Sequence, residues 1–390
     1  MRYSPLWVKI SNMNSEQSKH DALPVVFVTG GAGYIGSHFL EHWSRVARDY
    51  LEPCRIVVID DFSGGHHEIM TILDHEFRRC YLEPPVVEVA DLCDGDRLKT
   101  LFEKYRPHMV IHFAGKISVS ESVAHPELYY RNNVEGSENL LFLMREFGCR
   151  KMVFSSTAAV YGNVEGSQPI TENHSTGPVN PYGDTKLSIE KAMAEAAIDW
   201  GLEGIVFRYF NAAGASISGL IGEWHEPETH LIPLVIESAL GGAAELKLFG
   251  TDYPTRDGTC VRDYIHVTDL AQAHILGLAR LAKNQVQGVE IYNLGTEGGT
   301  TVREVIEAVK KVTRKPVQAI ECERRPGDAP FLIASQSAAK TVLGWQPIHS
   351  DIETILRSAK NWHLRLNEMK GIRPGEPIAQ EQAPSDTTES

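Results

Sequence analysis

Tyr182 and Lys186 stand four residues apart in the run Tyr182-Gly183-Asp184-Thr185-Lys186, a spacing that places both on one face of a helix. There an ammonium stabilises a phenolate, and a phenolate can take a proton from a hydroxyl. For that to happen near neutrality the tyrosine pKa must fall from about 10 toward 7, roughly 4 kcal/mol of preferential stabilisation of the phenolate. Lys186 supplies one cation, and an oxidised nicotinamide ring would supply a second. The lysine is also placed to hydrogen-bond a nicotinamide ribose. Serine and threonine hydroxyls occur in Ser155-Ser156-Thr157-Ala158-Ala159-Val160-Tyr161-Gly162, and Thr157 is the natural third member, sharing a hydrogen bond with the substrate oxygen. Alone, a tyrosine and lysine at this spacing are an ordinary surface pair of a helix.

What couples them to redox chemistry is the turn Thr29-Gly30-Gly31-Ala32-Gly33-Tyr34-Ile35-Gly36. Gly30, Gly33 and Gly36 let the chain turn tightly, bring backbone N–H groups to a pyrophosphate and let the next helix pack close to its strand. The turn leaves the apolar run Val25 to Thr29 and opens a helical pattern, as a dinucleotide fingerprint requires. A second apolar run ends in Asp60-Asp61, where Asp60 would accept from the adenosine ribose or else cap a turn. No arginine or lysine follows through Gly65 to receive a 2′-phosphate, so the expected cofactor is NAD. Asp91 with Leu92 after the third strand, and Phe113-Ala114-Gly115 after the fourth, are further cofactor candidates.

Six short β-branched runs are expected as strands: Val25 to Thr29, Arg55 to Ile59, Val86 to Val89, Met109 to His112, Lys151 to Ser155 and Ile205 to Arg208. Between them lie helical patterns at Gly36 to Arg48, Asp96 to Tyr105, Asn133 to Phe147 and Tyr182 to Trp200. The alternation predicts an α/β fold, a doubly wound parallel Rossmann-type sheet with a smaller C-terminal substrate-binding region. That region has helices expected near Leu231 to Leu240, Asp269 to Leu281, Val302 to Val312 and Ile352 to Leu364. The expected division is an N-terminal extension (1–24), a mainly NAD-binding part (25–210), a mainly substrate-binding part (211–366) and a disordered tail (367–390). Arg45 to Cys54 and His75 to Pro85 are read as surface insertions.

A chain of 390 residues can bury a substantial core, and its formal net charge of −13 without a long basic run excludes nucleic-acid and polybasic membrane surfaces. No segment approaches the roughly 18 uninterrupted apolar residues of a membrane span. The six cysteines lack metal-ligand spacing, and a reduced, cytoplasmic compartment is expected. None of the sixteen histidines has metal-motif spacing, so no metal is assigned.

These residues resemble the extended short-chain dehydrogenase/reductase superfamily, and within it the UDP-glucose 4-epimerases, over about Val25 to Leu364. The similar segments are Thr29 to His38, Ile111 to Gly115, Tyr129 to Val134, Phe154 to Gly162, Arg208 to Asn211, Thr229 to Pro233, Asp252 to His266 and Arg324 to Asp328. The resemblance implies that Tyr182 takes the sugar 4-hydroxyl proton while C4 gives hydride to NAD, forming a 4-keto sugar that turns over and receives hydride on its other face. It implies Lys186 as activator, Thr157 as hydroxyl partner and Asn133 as a supporting or cofactor contact, with Tyr34, Ile35 and Phe210 also on the cofactor side. Around the UDP moiety it places Asn211, His230, Leu231, Arg262, Tyr264, Arg325 and Asp328, with Lys247 and Phe249 toward uracil. It further implies a homodimer, with the helices Asp96 to Tyr105 and Asn133 to Phe147 available for the interface.

Three positions depart from the family pattern. Lys116 immediately follows the IHFAG glycine, where some members have their lysine one place later. Leu332 stands where some members carry a tyrosine near the sugar, and His230 where some carry an asparagine. Identical chemistry on a UDP-N-acetylhexosamine or a UDP-pentose is the nearest rival reading. Dehydration and decarboxylation lack their acidic residues, because Ala158-Ala159 follows Thr157. A non-catalytic NAD-binding regulator is the rival of a different class, and it would have no need of Tyr182 and Lys186.

Overall fold

The structure, a computed structural model, describes residues 23–242, 245–325 and 328–371. The expected extension to residue 22 and the expected tail from residue 372 onward lie outside these. Seven parallel strands form the central sheet: β1 (Val25–Thr29), β2 (Arg55–Asp60), β3 (Val86–Val89), β4 (Met109–His112), β5 (Lys151–Thr157), β6 (Glu203–Tyr209) and, from much later in the chain, β11 (Val289–Leu294). Their order is β11-β6-β5-β4-β1-β2-β3, so the direction of winding reverses between β1 and β4. Ligands bind at the carboxyl edge of such a switch point. All five residues of β1 are buried, as a strand covered on both faces by helices demands.

Helices α1 (Tyr34–Val46), α2 (His67–Arg79) and α7 (Val267–Ala282) cover one face. Their core contains Phe39, Leu40, Trp43, Leu73, Phe77, Leu270 and Leu278 against Val28, Val58 and Ile111. On the other face, α3 (Gly95–Tyr105), α4 (Gly136–Glu146) and α5 (Pro181–Trp200) bury Leu98, Phe102, Leu140, Met144, Ile189 and Met193 against Phe27, Val57 and Phe154. A third cluster joins α6 (Leu231–Leu240), α8 (Val302–Thr313) and α9 (Ile352–Met369) through Val235, Ile236, Val305, Val309, Ile355 and Leu356. The remaining strands form two short pairs, β7 (Asn211–Ala213) with β10 (Tyr264–His266) and β8 (Leu246–Phe249) with β13 (Ala319–Cys322), and one three-stranded sheet with β9 (Val261–Arg262) between β12 (Thr300–Thr301) and β14 (Phe331–Leu332).

The six expected strands form, as do the expected helices, with ends displaced by a few residues. Three features differ from expectation. The sheet gains β11, and α7 packs on it, so the chain returns to the dinucleotide fold long after residue 210. The second supposed insertion is partly regular, since α2 runs to Arg79 and its Glu76 takes Arg45 at 2.9 Å and Arg79 at 2.6 Å. The last helix extends to Met369, into the segment expected to be a disordered tail.

Candidate active site

Asn180 starts α5: its side-chain oxygen accepts from Gly183 N at 2.8 Å, and Pro181 occupies the first helical position. This start sets Tyr182 and Lys186 against the end of β5. Lys186 is 3 % exposed, and its Nζ donates to Ser155 O at 3.0 Å and lies 5.0 Å from the Phe154 ring centre. Burial lowers its pKa to about 8, with the Glu190 carboxylate acting the other way. Tyr182 is partly buried. Burial raises its phenol above the ordinary value, while a bond from Thr157 opposes the rise.

That direction is opposite to the depression expected for an activated tyrosine. Lys186 is turned onto Ser155 O, and burial of the phenol outweighs the bond from Thr157. Thr157 Oγ1 also accepts from Ala159 N at 3.1 Å.

Behind Lys186 lies a closed ion pair. Arg208 NH2 bonds Glu190 Oε2 at 2.5 Å, Arg208 Nε bonds Glu190 Oε1 at 3.0 Å, and Ser156 Oγ donates to the same carboxylate. Arg208 NH1 continues to Tyr161 OH at 3.0 Å, which donates to Asn293 Oδ1 at 2.7 Å. These buried groups are mutually satisfied, so the Arg208 charge is neutralised within the pair and is separate from the Lys186 ammonium.

Asn133 lies in a π-helical turn over Tyr130–Glu135, a distortion frequent at functional sites. Its Oδ1 accepts from Lys116 N at 2.8 Å, and its Nδ2 donates to Lys116 O at 3.1 Å and Thr185 Oγ1 at 3.2 Å. Asn133 thereby clamps the loop after β4 to α5. Gly115 has φ of 150°, and a Cβ there would stand 3.1 Å from Asn133 Oδ1 and 3.4 Å from Lys186 Nζ. The loop, the asparagine and the lysine converge on one point.

The glycine turn has two kinds of position. A Cβ on Gly30 would lie 2.5 Å from Ala114 N, and one on Gly36 would lie 2.2 Å from Gly30 O. At Gly33 a Cβ would meet only Gly30 O, at 3.5 Å. The fold itself therefore needs Gly30 and Gly36, whereas Gly33 keeps open the space in front of α1. That helix has neither a side-chain cap nor an acidic residue in its first turn, so its N–H groups suit an anion. This cradle fits the pyrophosphate of a dinucleotide.

The other cofactor candidates divide between backbone and side-chain roles. Asp60 accepts from Ala32 N and Phe62 N, both at 2.9 Å, so it caps its turn and braces the glycine loop, with lone pairs left for a ribose. Burial raises its pKa, and those two N–H bonds oppose the rise. Tyr34 OH donates to Gly214 O at 2.6 Å, tying the turn to the second half of the chain. Asp91 caps its own turn through Cys93 N at 2.9 Å, and Leu92 O accepts from Asn139 Nδ2. Phe113 turns its ring away, 5.5 Å from Phe39 and 4.8 Å from His274, leaving only its backbone for the cofactor edge. Phe210 packs with Ala158, Tyr161 and Leu187, and Ile35 packs against the core on the α1 side of the sheet.

On the substrate side, Asn211 Oδ1 is buried without a hydrogen-bond partner, as an atom reserved for a ligand would be. Arg262 NH1 donates to Ala329 O at 2.8 Å, and its NH2 lies 3.2 Å from Asp328 Oδ1, so these two candidates pair with each other. Arg325 stacks over Phe249 at 3.9 Å. Lys247 is exposed on β8, and Tyr264 is buried with Ile232 and Val235 beside Leu231. His230 meets Glu223.

Residues 26–295 match the model of the NAD dependent epimerase/dehydratase family. The chain belongs to that family. Its sequence is 45% identical over 343 residues to a UDP-glucose 4-epimerase of Rhizobium meliloti (strain 1021), covering 88% of this chain and 98% of the relative. Among solved structures, UDP-glucose 4-epimerase from Brucella ovis in complex with NAD is 41% identical with a TM-score of 0.77, covering 86% and 97% of the two chains. The Bifidobacterium longum enzyme in complex with NAD+ and UDP is 35% identical with a TM-score of 0.80, covering 87% and 98%.

Within this family member, sequence reasoning passed over three features of the site. Tyr209 stands close enough to Tyr182 that charge on the latter raises its own pKa, after the larger effect of burial; its place within Arg208 to Asn211 is the available signal. Tyr253 OH is a second buried, unpartnered polar atom, beneath Arg324 at 4.2 Å. The third is a gathering of Glu223, His225, Glu228 and His230, whose close Glu/His alternation was the available signal.

Proposed function

We propose that this chain interconverts UDP-galactose and UDP-glucose, with Tyr182 as the proton-transfer group, Thr157 as its hydroxyl partner and Lys186 as the cation that holds the cofactor side. Bound NAD supplies the acceptor that takes hydride from C4 and gives it back, and when oxidised it adds a positive charge beside the phenol. Tyr182 takes the 4-hydroxyl proton as C4 is oxidised, and returns it when the 4-keto sugar has turned over and is reduced on its other face. Thr157 shares the hydrogen bond to the same oxygen, so the proton moves between fixed partners. Lys186, the Gly115 backbone and Asn133 hold the nicotinamide side, while Gly30, Gly33 and Gly36 hold the pyrophosphate and Asp60 the adenosine ribose.

The observation that supports the reading is that Tyr182 with Thr157, and Lys186 with the Gly115 loop, lie at the same carboxyl edge of the sheet as the glycine turn after β1. Asn211, with its unpartnered oxygen, and Arg262, Arg325 and Asp328 are proposed to hold the UDP moiety, with His230, Leu231, Tyr264, Lys247 and Phe249 around it. Guanidinium groups suit a diphosphate through charge-assisted bonds. The proposed division keeps residues 25–210 mainly with the cofactor and 211–366 mainly with the nucleotide sugar.

The reading includes a homodimer through α3 and α4, on which Phe142 of α4 is 61% exposed. It also includes the cytoplasm, supported by six free cysteines. The purified chain incubated with UDP-galactose, without added reductant, should yield UDP-glucose on chromatography. Absence of conversion in protein that holds NAD would overturn the assignment.

A further inference from the structure

Glu223, His225, Glu228 and His230 lie on one irregular stretch between β7 and α6, and one donor atom from each falls within 4.8 Å of all the others. His225 Nδ1 is 3.4 Å from Glu223 Oε1 and 3.7 Å from Glu228 Oε2. His230 Nδ1 contacts Glu223 Oε1 and lies 3.9 Å from Glu228 Oε1. A zinc ion with donors about 2.0–2.1 Å away in a tetrahedron holds those donors roughly 3.4 Å from one another. The separations of His225 from the two carboxylates and of His230 from Glu228 are close to that value, whereas His230 and Glu223, in direct contact, would move apart to admit the ion.

Two further observations point the donors inward. His225 Nδ1 is buried and has no hydrogen-bond partner, although it faces both carboxylates. Glu228 Oε1 accepts from Thr229 N at 2.7 Å and His230 N at 2.8 Å, which fixes the carboxylate and leaves Oε2 turned toward His225. Backbone bonds of this kind orient ligands around metals. Outside the cluster, the Tyr34 ring meets His225 edge-on at 6.2 Å, and Glu223 O accepts from Trp362 Nε1 at 2.8 Å.

We propose that these four side chains form a binding site for a first-row divalent transition ion, zinc foremost. Two imidazoles with two carboxylates suit zinc, whereas magnesium and calcium prefer oxygen alone. Four protein donors close the coordination shell, so the role is structural. The ion would lock this loop between the glycine turn, through Tyr34, and the start of α6. His230 uses only Nδ1 here, which leaves Nε2 as its other ring nitrogen for the nucleotide side. The site does not depend on the proposed reaction.

The test uses the untagged full chain, stripped with a chelator and dialysed. Zinc is titrated against a chromophoric chelator, and cobalt(II) is added separately to read its coordination from the visible spectrum. The expected results are one zinc per chain, the intense bands of four-coordinate cobalt and a melting temperature that rises with zinc. His225→Ala should weaken binding about 100-fold, and Glu228→Gln should weaken it while preserving the shape of the loop. If His225→Ala does not fold, as judged by circular dichroism, Glu228→Gln carries the comparison. Failure to take up stoichiometric zinc, or uptake unchanged in the folded variant, would overturn the site and mean that the four groups form an ion-pair network only. Conversion of UDP-galactose, measured on the same samples, reports on the reaction independently.

Discussion

Tyr182 and Lys186 carry opposite electrostatic burdens from one cause, their burial. The phenol pKa is pushed up and the ammonium pKa down to about 8, so each resists the charged form that proton transfer requires. Replacing Tyr182 with Phe should lower kcat by about 10³-fold and leave the KM for UDP-galactose nearly unchanged, because the lost interaction belongs to the transition state. Steady-state kinetics would decide it, and a raised KM with kcat intact would contradict the role. Lys186 makes a prediction about stability. A lysine at about 8 folded against 10.5 unfolded binds fewer protons in the native state between those values, so its penalty is full below about pH 8 and fades as pH rises toward 10.5. Lys186→Met should therefore be more stable than the parent at pH 7 by up to about 3 kcal/mol, less the worth of the Ser155 bond. The difference should shrink between pH 8 and 10 in denaturant titrations, while activity is lost at every pH.

Between elements, the Glu190–Arg208 pair fastens α5 to β6 in the interior beside β5. Glu190→Gln would strand a buried guanidinium and should cost about 3–5 kcal/mol, whereas Glu190→Gln with Arg208→Met should recover much of it. Melting curves of the single and double variants would test this. The glycine turn separates folding from binding. Gly36→Ala should disrupt the turn, since its Cβ would reach 2.2 Å from Gly30 O, while Gly33→Ala has room and should fold normally yet hold NAD at least about 10-fold more weakly. Equal stability and equal NAD affinity in Gly33→Ala would contradict the cradle. Strands β1, β2, β4, β5 and β6 are legible because buried parallel strands read as apolar runs, the half-exposed edge strand β3 by its valines, and α5 because Asn180-Pro181 opens it. Strand β11 was not, since Val289–Leu294 finds β6 only through a return across some 80 residues of chain. The inward turn of the Phe113 ring and the pairing of Arg262 with Asp328 depend on neighbours distant in sequence. Local spacing carried no sign of either.

At the scale of the whole molecule, the cofactor turn and the nucleotide-sugar half are stitched together by Tyr34 OH on Gly214 O and by α7 and β11 returning to the sheet. In the proposed reaction a single chain would hold both ligands across one edge, so that the sugar need not be released between its oxidation and its reduction. If Phe142 on α4 lies in the proposed dimer face, Phe142→Asp should convert a dimer to a monomer in light scattering; an unchanged dimer would place the interface elsewhere. The central claim, that C4 itself is oxidised and re-reduced inside the site, is tested most directly with UDP-galactose carrying deuterium at C4. The account predicts UDP-glucose that retains the deuterium at C4 in ordinary water, formed more slowly than from the unlabelled sugar. Product with solvent hydrogen at C4 would contradict it.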